Sequence, residues 1–259
     1  VRNGNYDIVA TDNIGNSSKK RLVVNNINRV CNEGLNHPNF ASSYDECPIC
    51  ALLKNIKITN EKFVYDSMEH RVEYDNPDNV SIKEYYNNDT NIPVKAGDYN
   101  YKLKVIYEGN EYETHFNGTL KINKKDITIT NITATNRQYN GTNVIKLKGG
   151  ELQGIEDVDQ GKVGFVLSAT GTVNSKNVGQ YYVQIPEIVL NGAESNNYKL
   201  KQPDANAVKV EISQKDITIT NITTTNRQYD GTNVVKLQGG ELQGIEDVDK
   251  GKVGFVLSA

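Results

Sequence analysis

KDITITNITATNRQYNGTNVIKL, residues 125–147, returns 90 residues later as KDITITNITTTNRQYDGTNVVKL, residues 215–237. The match runs on through 125–169 and 215–259. Only five of these 45 positions differ: Ala134/Thr224, Asn140/Asp230, Ile145/Val235, Lys148/Gln238 and Gln160/Lys250. A repeat this long and this faithful marks a tandem array of whole domains. A unit of 90 residues suits a small β-sandwich, which typically needs about 100. Apolar residues alternate within the unit at Val163, Phe165 and Leu167, at Tyr181, Val183 and Ile185, and at Val208, Val210 and Ile212. Such period-two runs of β-branched and aromatic residues predict strands. The second copy stops at Ala259, halfway through its own unit, so the chain reads as a piece of something longer.

Composition agrees with small β domains. Apolar residues make up 37% of the 259, a share read as thin cores rather than disorder. Trp is absent and Met occurs once, while Tyr occurs 15 times. Tyr fills a β core and still offers its hydroxyl outward. Net charge is −3 with both signs mixed along the chain, unlike the clustered basic face of a nucleic-acid binder. No apolar run approaches the roughly 18 residues that span a membrane; no signal peptide or anchor signal is legible, and in a piece of a longer chain both would lie outside it.

In chain order, residues 1–24 read as the closing hairpin of a preceding β domain, with Tyr6, Ile8 and Ala10 alternating and turn residues between Asp12 and Ser18. Residues 25–53 break the pattern and are expected to form a connector with a small fold of its own. Residues 54–123 read as the first complete module. Its clearest feature is a hairpin: Tyr99, Tyr101, Leu103, Val105 and Tyr107 alternate, Glu108-Gly109-Asn110-Glu111 turns, and Tyr112, Thr114 and Phe116 return. Val72 and Tyr74, then Val80, Ile82 and Tyr85, mark shorter strands. Residues 124–213 form a second module and 214–259 the first half of a third. The expected fold is all-β, with tandem Ig-like sandwich modules in a linear array.

Gly4-Asn5-Tyr6, Gly97-Asp98-Tyr99 and Gly179-Gln180-Tyr181 each place a Tyr just after a Gly, entering a late strand. Two readings apply: a tyrosine corner, whose hydroxyl ties back to nearby backbone, or a plain core Tyr after a turn. The second and third modules resemble the YDG-type repeat of bacterial surface proteins. The resemblance rests on Tyr139-Asn140-Gly141-Thr142, Gly154, Asp157, Val178-Gly179, Gly192, Asn197-Tyr198-Lys199-Leu200, Gln202-Pro203 and Tyr229-Asp230-Gly231-Thr232. The first module is similar to the related bacterial Ig-like group often called MBG, through Phe63-Val64-Tyr65-Asp66 and Lys95-Ala96-Gly97-Asp98-Tyr99. It departs at Ser67, where that group usually has Gly. The resemblance covers roughly 54–259. It implies sandwich modules in long secreted adhesins and stalks at the bacterial cell surface or cell wall, and it implies no catalytic residues.

The one constellation with metal-ligand chemistry lies in the connector: Cys31, His37, Cys47 and Cys50. Cys47-Pro48-Ile49-Cys50 is a C-x2-C knuckle, whose spacing lets two thiolates reach one tetrahedral ion, and Cys31 with His37 would complete a Cys3His zinc site. The competing readings are one disulfide with a leftover thiol, or three unbonded thiols. No βαβ pattern surrounds the knuckle, which argues against a redox pair. Glu156-Asp157-Val158-Asp159, repeated at 246–249, offers carboxylates that could take calcium, although acids between strands are more often solvated turns. Lys125, Lys215 and Asn197 raise the idea of an isopeptide bond, but no buried acid can be assigned to it. His70 and His115 read as surface or hairpin residues. No catalytic triad, phosphate loop or carboxylate pair is legible.

The expected function follows from the copying. Units joined by linkers as short as Ile122 to Asp126 contact mainly their neighbours, and copy number sets length. The leading reading is a structural stalk segment of a large adhesin or extracellular fibre, not an enzyme. Its partners would be the neighbouring modules, copies of itself in a fibre, or a host or matrix ligand. The alternatives are modules that themselves bind glycan or matrix protein, and an accessory region of a secreted enzyme.

Overall fold

The computed structural model describes residues 4–24, 37 and 47–258, and the chain divides into two units, 1–125 and 126–259. The protein is all-β. Among the described residues the one α-helix is Pro48–Leu53, and three short 3-10 turns break the strands.

In the first unit, Gly4–Thr11 pairs antiparallel with Ser17–Val24. Asp12 closes their turn, its carboxylate accepting the N–H of Ile14 at 3.0 Å and of Asn16 at 2.9 Å. The body of the unit is a four-stranded sheet ordered Lys62–Val64, Asn110–Asn123, Gly97–Tyr107, Ile82–Tyr86, with a two-stranded sheet of Lys57–Asn60 and Glu73–Asp75. The hairpin legible in the sequence is present and turns through Glu108 at φ 47° and Gly109 at φ 79°. Two successive positive φ values give the twist that flanking strands require. Tyr101, Leu103 and Val105 are buried, as their alternation predicts; Tyr101 and Leu103 meet Leu120 on the returning strand, and Val105 packs with Ile56 and Val80.

Two readings of this unit are corrected. Strand Ile82–Tyr86 buries Tyr86 rather than Tyr85. The period from Ile82 runs through Glu84 to Tyr86, because Glu84 is taken inward by polar partners. It accepts from Tyr74 Oη at 3.2 Å and Tyr86 Oη at 2.9 Å, and pairs with Arg71 at 3.3 Å. The Tyr86 hydroxyl in turn accepts the Val72 N–H at 2.9 Å. Second, the described end of the connector does not form a core of its own. Pro48 at the first helical position presets the helix. Ile49 and Leu53, four apart on one helix face, are buried with Ile56, Val80 and Val105. The helix completes the core of residues 54–123.

In the second unit, a four-stranded sheet runs Thr170–Thr172, Val144–Gln153, Lys125–Ala134, Tyr198–Lys201. A three-stranded sheet runs Arg137–Gln138, Lys209–Ser213, Gly179–Tyr182. Ile145 and Leu147 from the first and Val210 and Ile212 from the second share one core with Val173, Val183 and Val208. The strand pair 125–134 and 144–153 kinks where Asn131, at φ 59°, faces Gly149 and Gly150, at φ 85° and 104°. A Cβ on Gly150 would lie 2.7 Å from the Phe165 ring, so the glycine also makes room for that ring. The second copy repeats the device with Asn221, Gly239, Gly240 and Phe255.

Residues 54–123 and 124–213 close in the same way. Lys62–Val64 pairs parallel with residues 121–123, and Arg137–Gln138 pairs parallel with 212–213. The next residue is a tyrosine in both. Tyr65 donates its N–H to Asn123 O and Tyr139 donates its N–H to Ser213 O, each at 2.9 Å. A left-handed residue follows two places on: Ser67 at φ 67°, Gly141 at φ 75° and, in the last copy, Gly231 at φ 77°. Serine thus occupies the conformation that glycine takes elsewhere. Tyr99 Oη donates to Lys95 O at 2.9 Å and Tyr181 Oη to Val178 O at 3.4 Å, so these tyrosines tie back to local backbone.

Two measurements check this description. Leu103→Ala, at a fully buried position, should lower unfolding free energy by about 2–5 kcal/mol in denaturant titration. Burial, then the Glu84 charge, pushes the Tyr74 phenol up to about 12. Its native value lies above the ordinary one of about 10, so its contribution to stability is complete below that pH and is lost as pH rises toward the native value. In ultraviolet titration, the difference between the native chain and Tyr74→Phe should show the Tyr74 tyrosinate forming above the ordinary phenol value of about 10.

Candidate functional site

The connector residues that the structure describes do converge. The C-x2-C spacing lies across the start of helix Pro48–Leu53, with Cys47 at the N-cap and Cys50 in the first turn. His37 Nδ1 lies 3.2 Å from Cys47 Sγ and 3.7 Å from Cys50 Sγ. All three ligand atoms fall within 4.8 Å of one another. Ligands held about 2.0–2.3 Å from a tetrahedral zinc are separated by roughly 3.3–3.8 Å, close to the two histidine-to-sulfur distances. The other ring nitrogen, Nε2, donates to Glu113 O at 2.7 Å. That bond leaves Nδ1 with its lone pair toward the sulfurs, which is how a ligating histidine is usually oriented. The imidazole is buried and stands edge-on to the Tyr112 ring. No disulfide joins Cys47 to Cys50. Cys31, the fourth residue of the constellation, lies outside the described residues.

This is the one group of three or more metal-ligating side chains among the described residues. The Glu-Asp-Val-Asp turns therefore do not gather a third carboxylate around a point. Their acids have other partners. Asp159 is buried and accepts from Tyr198 Oη at 2.7 Å. Burial, then that carboxylate, pushes the Tyr198 phenol above its ordinary range. Asp249, the same position one copy later, accepts from Tyr139 Oη at 2.6 Å and has Lys176 Nζ at 3.6 Å. The Tyr139 hydroxyl, then the Lys176 and Lys252 charges, hold its carboxyl below the ordinary carboxylate range. A lowered native value means that this contact persists above that range and is lost as pH falls through the native value.

Other singled-out residues are placed as follows. Lys215 pairs with Glu246. Asn197 is buried and donates to Glu194 Oε2 at 2.8 Å. His115 is exposed, as expected. His70 is not. It is buried, stacks on Phe63 at 4.5 Å, and its Nε2 meets Asp66 Oδ1 at 2.9 Å. The turn at Tyr65-Asp66-Ser67 folds over it, which strand periodicity alone does not convey. Sequence reading also missed Glu113, whose contribution is a backbone carbonyl, and the Tyr139–Asp249 pair. The latter had a signal: both residues recur in each copy, as Tyr229 and Asp159.

The family model of the YDG domain matches residues 123–206. Neither a curated protein nor a solved structure matches the chain. The matched stretch opens with strand Lys125–Ala134 and includes the Tyr139-Asn140-Gly141 turn, Asp159 and Tyr198. Residues 123–206 of this chain carry a YDG domain.

Proposed function

We propose that the chain is a structural stalk segment of a large bacterial cell-surface adhesin or extracellular fibre, made of tandem Ig-like β-sandwich modules that set distance or bear load for a distal part. The observation behind this reading is the copying itself. Residues 215–259 repeat 125–169 with five changes, and strand pairing, glycine kink and 3-10 turn recur with them. A fold duplicated with its surface intact serves a property that grows with copy number, and in repeat arrays that property is length. Duplication adds nothing to a single reactive centre. The YDG domain supports the assignment, and the shared first-to-last strand closure supports grouping residues 54–123 with the MBG-type modules.

Within this reading His37, Cys47 and Cys50 hold a structural zinc, with Cys31 as the fourth ligand. The ion would fasten the connector to the sheet through the Nε2–Glu113 bond and keep helix Pro48–Leu53 seated over Val80 and Val105. Such sites supply folding free energy to segments too short to bury a core.

Purified under reducing conditions, the chain should contain about one zinc per molecule by elemental analysis. Chelation, or Cys47→Ser, should lower the thermal midpoint of the first unit by about 5 °C or more. A zinc content near zero, with Cys47 recovered in a disulfide, would remove the metal from this account. For the stalk, single-molecule stretching should show separate unfolding steps. A complete repeat of 90 residues should release about 30 nm of chain. One merged step for the whole chain would contradict independent load-bearing units.

A further inference from the structure

Asp159 and Asp249 hold the same place in successive copies, yet the tyrosines they accept from come from different places. Asp159 takes the hydroxyl of Tyr198, 39 positions on in its own module. Asp249 takes the hydroxyl of Tyr139, 110 positions back in the preceding module. A carboxylate offers about four lone-pair sites, so one aspartate can serve both tyrosines. The preceding module also sends Lys176 to the other oxygen of Asp249, at 3.6 Å, and the same ammonium stands 5.8 Å above the Tyr139 ring.

Shape matches this polarity. Gly141 has φ +75°, and a Cβ there would lie 2.7 Å from Val248 Cγ2. The glycine therefore seats the valine of the following Glu-Asp-Val-Asp turn. The loop around it is held by its own hydrogen bonds. Asn140 Oδ1 accepts the Thr142 N–H at 3.1 Å, and Arg137 donates to Thr142 O at 2.6 Å. On the following copy, Lys215, three residues ahead of strand Thr218–Thr224, pairs with Glu246 and so ties the approach to that strand to the same acidic turn.

We propose that the Tyr-Asx-Gly turn is a clasp between consecutive repeats, in which the tyrosine hydroxyl of one copy engages the second aspartate of the next copy's Glu-Asp-Val-Asp turn. The proposal deepens the stalk reading and rests on it for the meaning of the array. The partner it names is a further copy of the same repeat. Tyr229-Asp230-Gly231 has the same local form: Asp230 Oδ1 accepts the Thr232 N–H at 3.0 Å, and Arg227 donates to Thr232 O at 2.6 Å. On this proposal the Tyr229 turn is the donor half of a further clasp.

Amide hydrogen exchange on the 259-residue chain tests the clasp. Tyr139→Phe and Asp249→Ala should each raise exchange at residues 246–252 by about tenfold, and the double variant should do no more than either alone. Tyr229→Phe should leave those amides unchanged. Gly141→Ala should raise exchange at 246–252, whereas Gly231→Ala, with the same φ cost, should not. The clasp is overturned if Tyr139→Phe leaves this protection intact, or if the double variant shows the product of the two single effects. Stepwise mechanical unfolding does not depend on it. A chain that unfolds in separate steps but fails the exchange test keeps the stalk and loses the clasp; one merged step with the exchange effects intact does the reverse.

Discussion

Parallel pairing between the start of a module and its end is the constraint on which the rest depends. Lys62–Val64 against 121–123, and Arg137–Gln138 against 212–213, are pairs of only three and two residues. Each is extended by one tyrosine N–H, from Tyr65 or Tyr139. These bonds join residues about as far apart in sequence as a module allows, so they carry the largest loop-closure cost. They are worth making because the core lies behind them. Ile212 and Ile122, on the last strands, are both buried. The strand then has to leave the sheet at once, and the left-handed residue at 67 or 141 provides the exit.

From that closure the polar features follow. The Asx side chain ahead of the left-handed residue caps its own turn, as Asp66, Asn140 and Asp230 all show by accepting the N–H two residues on. In the first module the same aspartate also reaches His70, which burial then locks against Phe63. In the second module the turn meets Val248 and Asp249 instead. One local motif thus carries two different surroundings. Buried hydroxyl–carboxylate pairs recur through the chain, at Tyr86–Glu84 and Tyr198–Asp159. They explain how a Tyr-rich, Trp-free chain satisfies its polar atoms inside thin cores.

The metal-ligand cluster shows where sequence reading has purchase and where it ends. The C-x2-C spacing is readable because three residues on a helix start bring two side chains to one side. His37 was readable as a ligand type, and its burial and orientation were not. They come from Glu113 O and the edge of Tyr112, 76 and 75 residues away, which no local pattern announces. Likewise Ile49 and Leu53 look like an ordinary apolar pair until the sheet of residues 54–123 covers them.

By itself the sequence determined the unit length, the strand alternation at Tyr101, Leu103 and Val105, the hairpin turn at Glu108-Gly109, and the tyrosine that follows each Gly at 97 and 179. All of these are local, set by period-two geometry and by backbone conformations that few residues adopt. Tertiary structure alone decided that Tyr86 rather than Tyr85 faces inward, that His70 is buried, that the helix belongs to the neighbouring module, and that Asp159 and Asp249 answer to different tyrosines. Each of these turns on a partner distant in the chain. Which polar group is drawn inward depends on what waits there to pair with it, and only the folded arrangement supplies that partner.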